Sequence, residues 1–320
     1  ASMSPAFALA TRSELINCFW VADEEHMEIT ATINAAKAIM TTDTFPKECA
    51  VEVTLTTGEI VKIAGITKGS GMIAPNMGTM LSFIVTDAII SSEDINKALK
   101  KAVDISFNMI VVDGDESTND TCLMMANESS GVSVVNKGVV DENFQNALNY
   151  LCIDLAKKMA RDGEGASKFI EVNVKGAKDN DDAKIVAKSV ISSSLFKSAV
   201  FGGDPNWGRI VSAMGYSGAD LKPDIVTISI KKINNVVYYL FDGNEAVKYF
   251  EVGSNFEVDL IKDGNILAFE NTPYLEKAEK IMQSKNITVN LDMNLGLGKA
   301  TAWGCDLTYD YVKINAEYTT

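Results

Sequence analysis

The sequence predicts an α/β fold built from layers of helices and strands. Three stretches carry apolar residues three and four positions apart, the spacing that gives a helix one buried face. These stretches are residues 91–107, 142–161 and 181–199. Residues 49–66 instead alternate apolar and polar side chains around a Thr57-Gly58 pair, which is typical of a β-hairpin. The two patterns follow each other without a fixed period, so we expect an α/β sandwich without internal repeats.

The elements are expected in the following order. A helix begins near Ala35 and ends at residues 41–44, four polar residues that precede the turn residue Pro46. The apolar run at residues 80–85 predicts a buried strand that begins at Thr79, behind a loop that contains glycine and proline. The remaining elements are strands at 108–112, 170–174, 287–293 and 300–315 and a helix at 271–284.

The composition disfavours several classes of protein. The formal net charge is −14 and the isoelectric point is near 4.6, whereas nucleic acids and anionic membranes attract basic surfaces. No apolar run has the length of a membrane span, and no stretch has the basic start, apolar middle and small-residue cleavage site of a secretory signal. We therefore expect a soluble, cytoplasmic protein that binds neither nucleic acid nor membrane.

The cysteines and the histidine restrict the chemistry further. Five cysteines, an odd number, are scattered without a C-x-x-C pair, which disfavours a disulfide framework and a structural zinc site. Cys305 fits a buried structural thiol better than a nucleophile. His26 is the single histidine of the sequence, so a mechanism that needs a histidine base is disfavoured.

Two motifs resemble ligand-binding loops, but each lacks residues that such a loop requires. Residues 113–121 start like an EF-hand calcium loop, but Thr118 occupies the glycine position and the twelfth position is not Glu. Residues 202–209 form a glycine-rich turn before a helix, yet they lack both the G-x-G-x-x-G and the Walker spacing. We expect neither a metal site nor a nucleotide site, and we expect residues 113–121 to line the active-site region.

Residues 68–81 contain the candidate nucleophile. A loop with glycine and proline leads to the pair Gly78-Thr79. If the peptide bond of this pair breaks, Thr79 carries a hydroxyl and a free α-amine, whose pKa of about 7.7–8.0 suits a general base at neutral pH. Gly78 gives the backbone the freedom to bring its carbonyl carbon to the Thr79 hydroxyl. The sequence therefore predicts an N-terminal nucleophile at Thr79.

Five stretches of the chain resemble one family of enzymes. They are residues 68–87, Lys37–Lys47 (KAIMTTDTFPK), Asp113–Thr121 (DGDESTNDT), Phe201–Ala219 (FGGDPNWGRIVSAMGYSGA) and Thr301–Thr320 (TAWGCDLTYDYVKINAEYTT). These stretches are similar to segments of the glutamate N-acetyltransferases of arginine biosynthesis, also called ornithine acetyltransferases. The resemblance extends over about 285 residues, from Ala35 to the end of the sequence.

The resemblance implies a fold, a reaction and a set of site residues. The fold would be a layered α/β sandwich of the N-terminal-nucleophile acetyltransferase and aminopeptidase type. The enzyme would cleave itself at Gly78-Thr79 and move acetyl from N-acetylornithine to glutamate through an acetyl-threonine, in a ping-pong mechanism. The family's substrate-binding residues correspond to Thr42, Lys68, Thr79, Glu164, Asn315 and Thr320. The reaction needs neither metal nor coenzyme, and whether acetyl-CoA serves as a second donor stays open.

The resemblance also implies two chains from one precursor. Residues 1–78 would form the C-terminal part of an α chain, of which residues 1–34 show no clear likeness to the family. Residues 79–320 would form a β chain, composed of a sandwich domain and a smaller C-terminal lobe. The family's usual assembly is a heterotetramer of two α and two β chains.

The chain departs from the family at three places. Family members carry a considerably longer segment before the nucleophile, with a Ser-Thr-Gly stretch whose Thr and Gly form the oxyanion hole. No Ser-Thr-Gly occurs in this sequence, and such donors can contribute about 10²–10³ in rate. Glu116 stands where the family has Thr, and Gly78 where it usually has Ala.

Two alternatives to the acetyltransferase therefore stay open. One is an N-terminal-nucleophile aminopeptidase or amidase, in which water instead of glutamate accepts the acyl group. The other is an inactive, truncated precursor with an incomplete active site.

Overall fold

The structure is a computed structural model that describes residues 34–73, 80–115, 117–232 and 256–317, and the backbone of residues 7–9, 238–242 and 245–249. It divides into two compact units, Ala1–Asp162 (unit 1) and Gly163–Thr320 (unit 2). Each unit layers helices on a β-sheet, in agreement with the predicted α/β class. The predicted cleavage between residues 78 and 79 stays a prediction, because this peptide bond lies outside the described residues.

Unit 1 packs helices on a mixed sheet. Its described elements are β1 (Phe7–Leu9), β2 (Lys47–Thr54), β3 (Ile60–Lys68), β4 (Leu81–Thr86), α1 (Ser92–Asp104), β5 (Ile110–Val111), β6 (Thr121–Ala126), β7 (Val135–Asn136), β8 (Val139–Val140) and α2 (Glu142–Arg161). Five strands form the sheet in the order β1-β2-β3-β4-β6. Neighbouring strands are antiparallel except β4 and β6, which run parallel.

The predicted hairpin is confirmed as β2 and β3, paired in register from Lys47 with Thr67 to Thr54 with Ile60. Helix α2 packs on both strands. Its closest approach is at Gly65, where an added Cβ would lie 3.1 Å from methyl carbons of Leu151 and Leu155. The absence of a side chain at residue 65 therefore lets the helix lie close against the sheet.

Unit 2 is built on a longer sheet. Its described elements are β9 (Phe169–Ala177), α3 (Asn180–Ser192), α4 (Ser194–Gly202), α5 (Trp207–Gly215), β10 (Thr227–Lys232), β11 (Tyr238–Asp242), β12 (Glu245–Tyr249), β13 (Glu257–Lys262), β14 (Asn265–Ile266), α6 (Pro273–Met282), β15 (Asn286–Asp292), β16 (Gly298–Cys305) and α7 (Tyr309–Glu317). Six strands of unit 2 follow the order β14-β13-β10-β15-β9-β16. Strands β9 and β15 are parallel, and the other neighbours are antiparallel.

The predicted helix at residues 181–199 is wrong in one respect, because it is two helices. Ser193 ends α3 and begins α4 with an extended backbone, φ −66° and ψ 108°, and its hydroxyl accepts a hydrogen bond from Phe196 N–H. A serine at this position satisfies a free N–H of the second helix, which favours the break. The apolar periodicity of the sequence continues across residue 193, so it does not indicate the break between the two helices.

The predicted strand at residues 300–315 is also wrong in part. Strand β16 ends at Cys305, and α7 begins at Tyr309. Thr308 Oγ1 accepts a hydrogen bond from Tyr311 N–H and thereby caps the first turn of the helix. None of the residues of α7 is buried, so the alternation of aromatic and apolar residues in this segment does not mark a buried strand.

The strand predicted at residues 108–112 is reduced to Ile110–Val111, because Phe107–Met109 form a 3₁₀ helix. The other predicted elements are present in the described residues, with ends shifted by a few residues.

In the part of the chain that the structure describes, no single helix is long and apolar enough to cross a membrane. The pair α3 and α4, bent by 55°, meets the length and composition criteria only when both helices are taken together. Residues of α3 that include Val186, Val190 and Ile191 are fully buried in the protein.

Candidate active site

The structure describes four of the predicted site residues, two in each unit. Lys68 is the last residue of β3, and Thr42 lies in the turn before β2. Glu164 follows α2, and Asn315 lies on α7. Gly78, Thr79 and Thr320 lie outside the described residues, and so does the start of the strand predicted at Thr79, whose described part is Leu81–Thr86.

In unit 1 the structure brings Thr42 and Lys68 into one cluster. Lys68 is 7% exposed, and its Nζ donates to Thr41 Oγ1 over 3.4 Å. The Thr42 hydroxyl shares a hydrogen bond of 2.6 Å with the Ser70 hydroxyl. Two hydrogen bonds therefore join the turn at residues 41–42 to residues 68–70, and the buried ammonium next to the Thr41 hydroxyl can bind a carboxylate.

A buried ion triad holds this cluster in place. Lys47 is fully buried, and its Nζ lies 2.5 Å from Asp43 Oδ1 and 2.6 Å from Asp162 Oδ2. Asp43 Oδ1 also accepts from Gly69 N–H at 2.8 Å, and Asp43 Oδ2 accepts from Thr41 N–H at 3.1 Å. The triad thus fixes the main chain next to Lys68.

The pKa of Asp43 reflects this environment. Burial by itself raises the pKa of the carboxyl, but the hydrogen bond from Gly69 and the Lys47 ammonium bring it below its ordinary value. Asp162 also accepts two hydrogen bonds from Thr44. The Thr44 N–H donates to Asp162 Oδ2 at 2.9 Å, and the Thr44 hydroxyl donates to Asp162 Oδ1. The polar turn at residues 41–44 is therefore rigidly attached to the end of α2.

Two carboxylates from residues 113–121 hold the main chain on either side of residues 74–79. Asp113 accepts from Met72 N–H at 2.7 Å and from Ile73 N–H at 2.9 Å. Asp120 accepts from Met80 N–H at 2.7 Å. Burial raises the pKa of Asp120, against the opposing effects of the Met80 N–H and of Lys68. The motif therefore holds the main chain that flanks residues 74–79, and its place beside an active site stays a prediction.

In unit 2 the structure brings Glu164 and Asn315 together. Asn315 Nδ2 donates to Glu164 Oε2 at 2.9 Å and to the Tyr311 carbonyl at 3.0 Å. Gly165 has a φ of +66°, and an added Cβ would lie 2.4 Å from Tyr311 N. A residue other than glycine at position 165 would therefore push α7 away from Glu164.

The described cysteines and acidic residues do not form a competing site. Cys49, Cys152 and Cys305 are buried, and burial raises the pKa of the Cys49 and Cys152 thiols well above the ordinary value. Burial raises the pKa of Cys122 to about 11. Among the residues described here, no group of His, Cys, Asp and Glu side chains is arranged to hold a metal ion. Asp113 and Asp120 bind main-chain N–H groups instead.

The roles of Lys47, Asp162 and Asp120 were not predicted from the sequence. Lys47 and Asp120 lie inside motifs that carried the family resemblance, so the sequence marked these two positions without indicating their roles. Their partners are distant in sequence, since Asp162 is 115 residues from Lys47 and Asp120 is 40 residues from Met80. Patterns among neighbouring residues in the sequence cannot indicate hydrogen bonds between residues this far apart.

Comparisons with known proteins agree on one family. The chain is 50% identical over 285 residues to a protein named glutamate N-acetyltransferase from Methanothermobacter thermautotrophicus. It is 51% identical over 292 residues to a protein of that name from Methanocaldococcus jannaschii. These matches cover 89% and 91% of this chain but 64% and 66% of the relatives, so the chain spans slightly less than two thirds of their length.

A solved structure is also similar. It is the crystal structure of the arginine biosynthesis bifunctional protein argJ from Bacillus halodurans, with a TM-score of 0.59 and 36% identity. The similarity covers 72% of this chain and 96% of that chain, and it confirms the predicted fold class. A family model described as the ArgJ family matches residues 17–320, so residues 17–34, in which we expected no likeness, belong to the match. The chain belongs to the ArgJ family.

Proposed function

We propose that the protein is a glutamate N-acetyltransferase of arginine biosynthesis, which moves acetyl from N-acetylornithine to glutamate. The observation that carries this proposal is the buried Lys68 ammonium, whose hydrogen-bond partner among the described residues is the neutral Thr41 hydroxyl at 3.4 Å. A buried cation is unfavourable without an anionic partner, and the acidic neighbour of Lys68 is Asp120, whose pKa is raised by burial and lowered in part by the charge of Lys68. The α-carboxylate common to both substrates would complete the site.

The nucleophile in this proposal is Thr79 after self-cleavage. Its hydroxyl attacks the Gly78 carbonyl carbon, the amide bond between the two residues breaks, and the resulting ester is hydrolysed by water. The products are a Gly78 carboxylate and a free Thr79 α-amine. Asp113 and Asp120 support this step because they fix the chain on both sides of the segment that contains the bond.

The length of the similar crystal structure supports such a cleavage. The match covers 72% of 320 residues, or about 230, and 96% of the Bacillus chain, which therefore has about 240 residues. The predicted second chain, from Thr79 to Thr320, has 242 residues. The similar chain thus has the size expected for the product that begins at the nucleophile.

In the first half-reaction, the Thr79 hydroxyl attacks the acetyl carbon of N-acetylornithine. The free α-amine takes the hydroxyl proton and passes it to the amine of ornithine as the amide bond breaks. The product is an acetyl ester on Thr79. In the second half-reaction, the amine of glutamate attacks this ester, and the proton returns to the Thr79 oxygen. The ping-pong order follows from the covalent intermediate.

The other site residues would bind the substrates. Lys68 would pair with the α-carboxylate, and Thr42 would donate a hydrogen bond next to it. Glu164, oriented by Asn315, would accept hydrogen bonds from a substrate amine. Thr320 would add a neutral polar contact. These assignments follow the family resemblance and the positions of the four described residues.

The remaining parts of the proposal come from the family resemblance. The proposed reaction needs no metal or coenzyme, and an assay with acetyl-CoA as donor decides whether it serves as a second acetyl source. The two chains would assemble as a heterotetramer in the cytoplasm.

The proposal is tested by an intact-mass spectrum of the purified protein and of a Thr79→Ala variant, followed by an assay with N-acetylornithine that carries a labelled acetyl group. We expect two pieces, residues 1–78 and 79–320, in the wild type only, and label on glutamate. Label released as acetate in the presence of glutamate would indicate an amidase. A single uncleaved mass without transfer would indicate an inactive precursor.

A further inference from the structure

One buried oxygen of the Asp120 carboxylate has no hydrogen-bond donor among the described residues. Asp120 Oδ1 accepts from Met80 N–H at 2.7 Å. The other oxygen, Oδ2, is buried and accepts no hydrogen bond in the part of the chain that the structure describes. A buried carboxylate oxygen without a donor is unfavourable, so Oδ2 indicates a ligand group that carries a polar hydrogen.

Asp120 and Lys68 lie at the same end of the sheet of unit 1. Lys68 is the last residue of β3, Asp120 directly precedes β6, and β4 pairs with both strands. The charge of Lys68 opposes the rise in the Asp120 pKa that burial causes, so the two groups are near each other. Each nevertheless makes its hydrogen bond to a neutral group, Lys68 Nζ to the Thr41 hydroxyl and Asp120 Oδ1 to the Met80 N–H.

This arrangement of opposite charges indicates the chemistry of the ligand. An α-amino acid carries a carboxylate and a nitrogen on one carbon atom. If its carboxylate binds Lys68 Nζ, as in the proposed function, its nitrogen lies close to Asp120. A simple anion could also bind Lys68, but it would leave Asp120 Oδ2 without a donor and would add a second negative charge beside it.

We propose that Asp120 is a substrate-binding residue, whose Oδ2 accepts a hydrogen bond from the α-nitrogen of the amino acid that Lys68 binds by its carboxylate. This inference rests on the proposed function for the identity of the amino acids. The α-nitrogen of N-acetylornithine loses the acetyl group and the α-nitrogen of glutamate receives it, and each carries a hydrogen to donate. Asp120 therefore orients the nitrogen that reacts in both half-reactions.

The ligand glutarate separates the contact with Asp120 from the contact with Lys68. Glutarate has both carboxylates of glutamate and a hydrogen atom in place of the amine, so it can bind Lys68 but cannot donate to Asp120. Isothermal titration calorimetry of the cleaved wild type gives the Kd of each ligand. We expect glutamate to bind about 10- to 100-fold more tightly than glutarate, as is typical of a hydrogen bond between charged groups.

The variant Asp120→Asn removes the charge but keeps an oxygen that can accept the Met80 N–H. We expect its preference for glutamate over glutarate to fall below about threefold. A merely structural role would weaken the binding of both ligands alike and leave the ratio of their Kd values unchanged.

Asp87→Asn is the matched control. Asp87 directly follows β4, burial raises its pKa, and its Oδ1 accepts from Lys62 N–H at 2.8 Å. We expect both Kd values to stay at those of the wild type in this variant. Lys68→Met should instead weaken glutamate and glutarate to a similar extent, since both ligands have the carboxylate.

A second pair of chains covers the case in which Asp120→Asn is not cleaved. The two Kd values are then compared between Thr79→Ala and Thr79→Ala combined with Asp120→Asn, neither of which can cleave itself or transfer acetyl. A preference for glutamate that survives the loss of the carboxylate overturns the proposal. So does the absence of glutamate binding in Thr79→Ala, because the structure places Lys68 and Asp120 together in the uncleaved chain.

The outcomes separate this inference from the function on which it rests. A wild type that transfers no acetyl and binds neither ligand overturns the proposed function and the role of Asp120 with it. A wild type that transfers acetyl but binds glutamate and glutarate equally overturns the role of Asp120 alone. An inactive wild type that prefers glutamate, with the preference lost in Asp120→Asn, overturns only the proposed reaction.

Discussion

Two lysines of unit 1 are buried, and their surroundings differ in a way that bears on function. Lys47 lies between the carboxylates of Asp43 and Asp162, at 2.5 and 2.6 Å. Such a lysine is structural, because its charge is already compensated. Lys68 donates over 3.4 Å to a neutral hydroxyl. Its charge is available for an anionic ligand, and its burial would strengthen that interaction.

The variant Lys68→Met tests whether the charge of Lys68 binds the carboxylate of the substrates. We expect KM for both N-acetylornithine and glutamate to rise about 10- to 100-fold, because a charge-assisted hydrogen bond contributes about 1.5–3 kcal/mol. Lys68→Arg should keep part of the affinity, since the charge remains while its geometry changes. The assay is steady-state kinetics on cleaved protein.

Lys62→Met serves as the control, because Lys62 lies on the same strand but outside the cluster. Unchanged KM values in Lys68→Met would show that this lysine does not bind the carboxylate of either substrate.

At the scale of elements, the turn after α2 determines the position of α7. Thr308 Oγ1 donates to the Gly165 carbonyl at 2.7 Å and also caps α7. Asp306 adds hydrogen bonds from Ser167 N–H and Lys168 N–H, each at 2.9 Å. These contacts bring the helix that carries Asn315 against the turn that carries Glu164.

Gly165→Ala should displace α7 from the turn that carries Glu164, in addition to straining the backbone at residue 165. Both Gly165 and Gly138 have positive φ, +66° and +77°, so alanine is strained at either position by about 1–2 kcal/mol. At Gly165 the new methyl would also lie 2.4 Å from Tyr311 N, whereas at Gly138 nothing lies within 4 Å. We expect a larger loss of the free energy of unfolding and of kcat/KM in Gly165→Ala.

The measurement is urea unfolding and steady-state kinetics of both variants side by side. Equal losses in Gly165→Ala and Gly138→Ala would mean that the contact with α7 does not matter for the position of Asn315.

At the scale of the whole molecule, the predicted cleavage would divide the sheet of unit 1 between two chains. Strand β3 belongs to the first predicted chain and β4 to the second, and they pair from Ile63 with Thr86 to Lys68 with Leu81. The sheet is therefore continuous across the predicted break, with β1 and β2 on one side and β6 on the other.

The two pieces should consequently stay together after cleavage. Size-exclusion chromatography under native conditions should give one peak that contains both masses, and denaturant should be needed to separate them, because the β3–β4 ladder and the buried side chains of both strands hold them. Separate elution of the pieces in native buffer would contradict this expectation.

By itself, the sequence determined the elements whose signals are local. The hairpin at residues 49–66, the helix at 142–161 and the alternating α/β order follow from side-chain periodicity, which depends only on neighbours along the chain. The long motifs from residue 37 to residue 320 identified the family, and they contain every candidate site residue except Glu164.

Only the tertiary structure decided which polar groups meet. It broke a continuous apolar pattern at Ser193, turned residues 309–317 into a helix, and paired Lys47 with Asp162 and Asp120 with Met80. These outcomes depend on contacts between residues far apart in sequence, and on the need to satisfy each buried charge and N–H group. Periodicity reports which side of an element is buried, but not which partner from another element lies there.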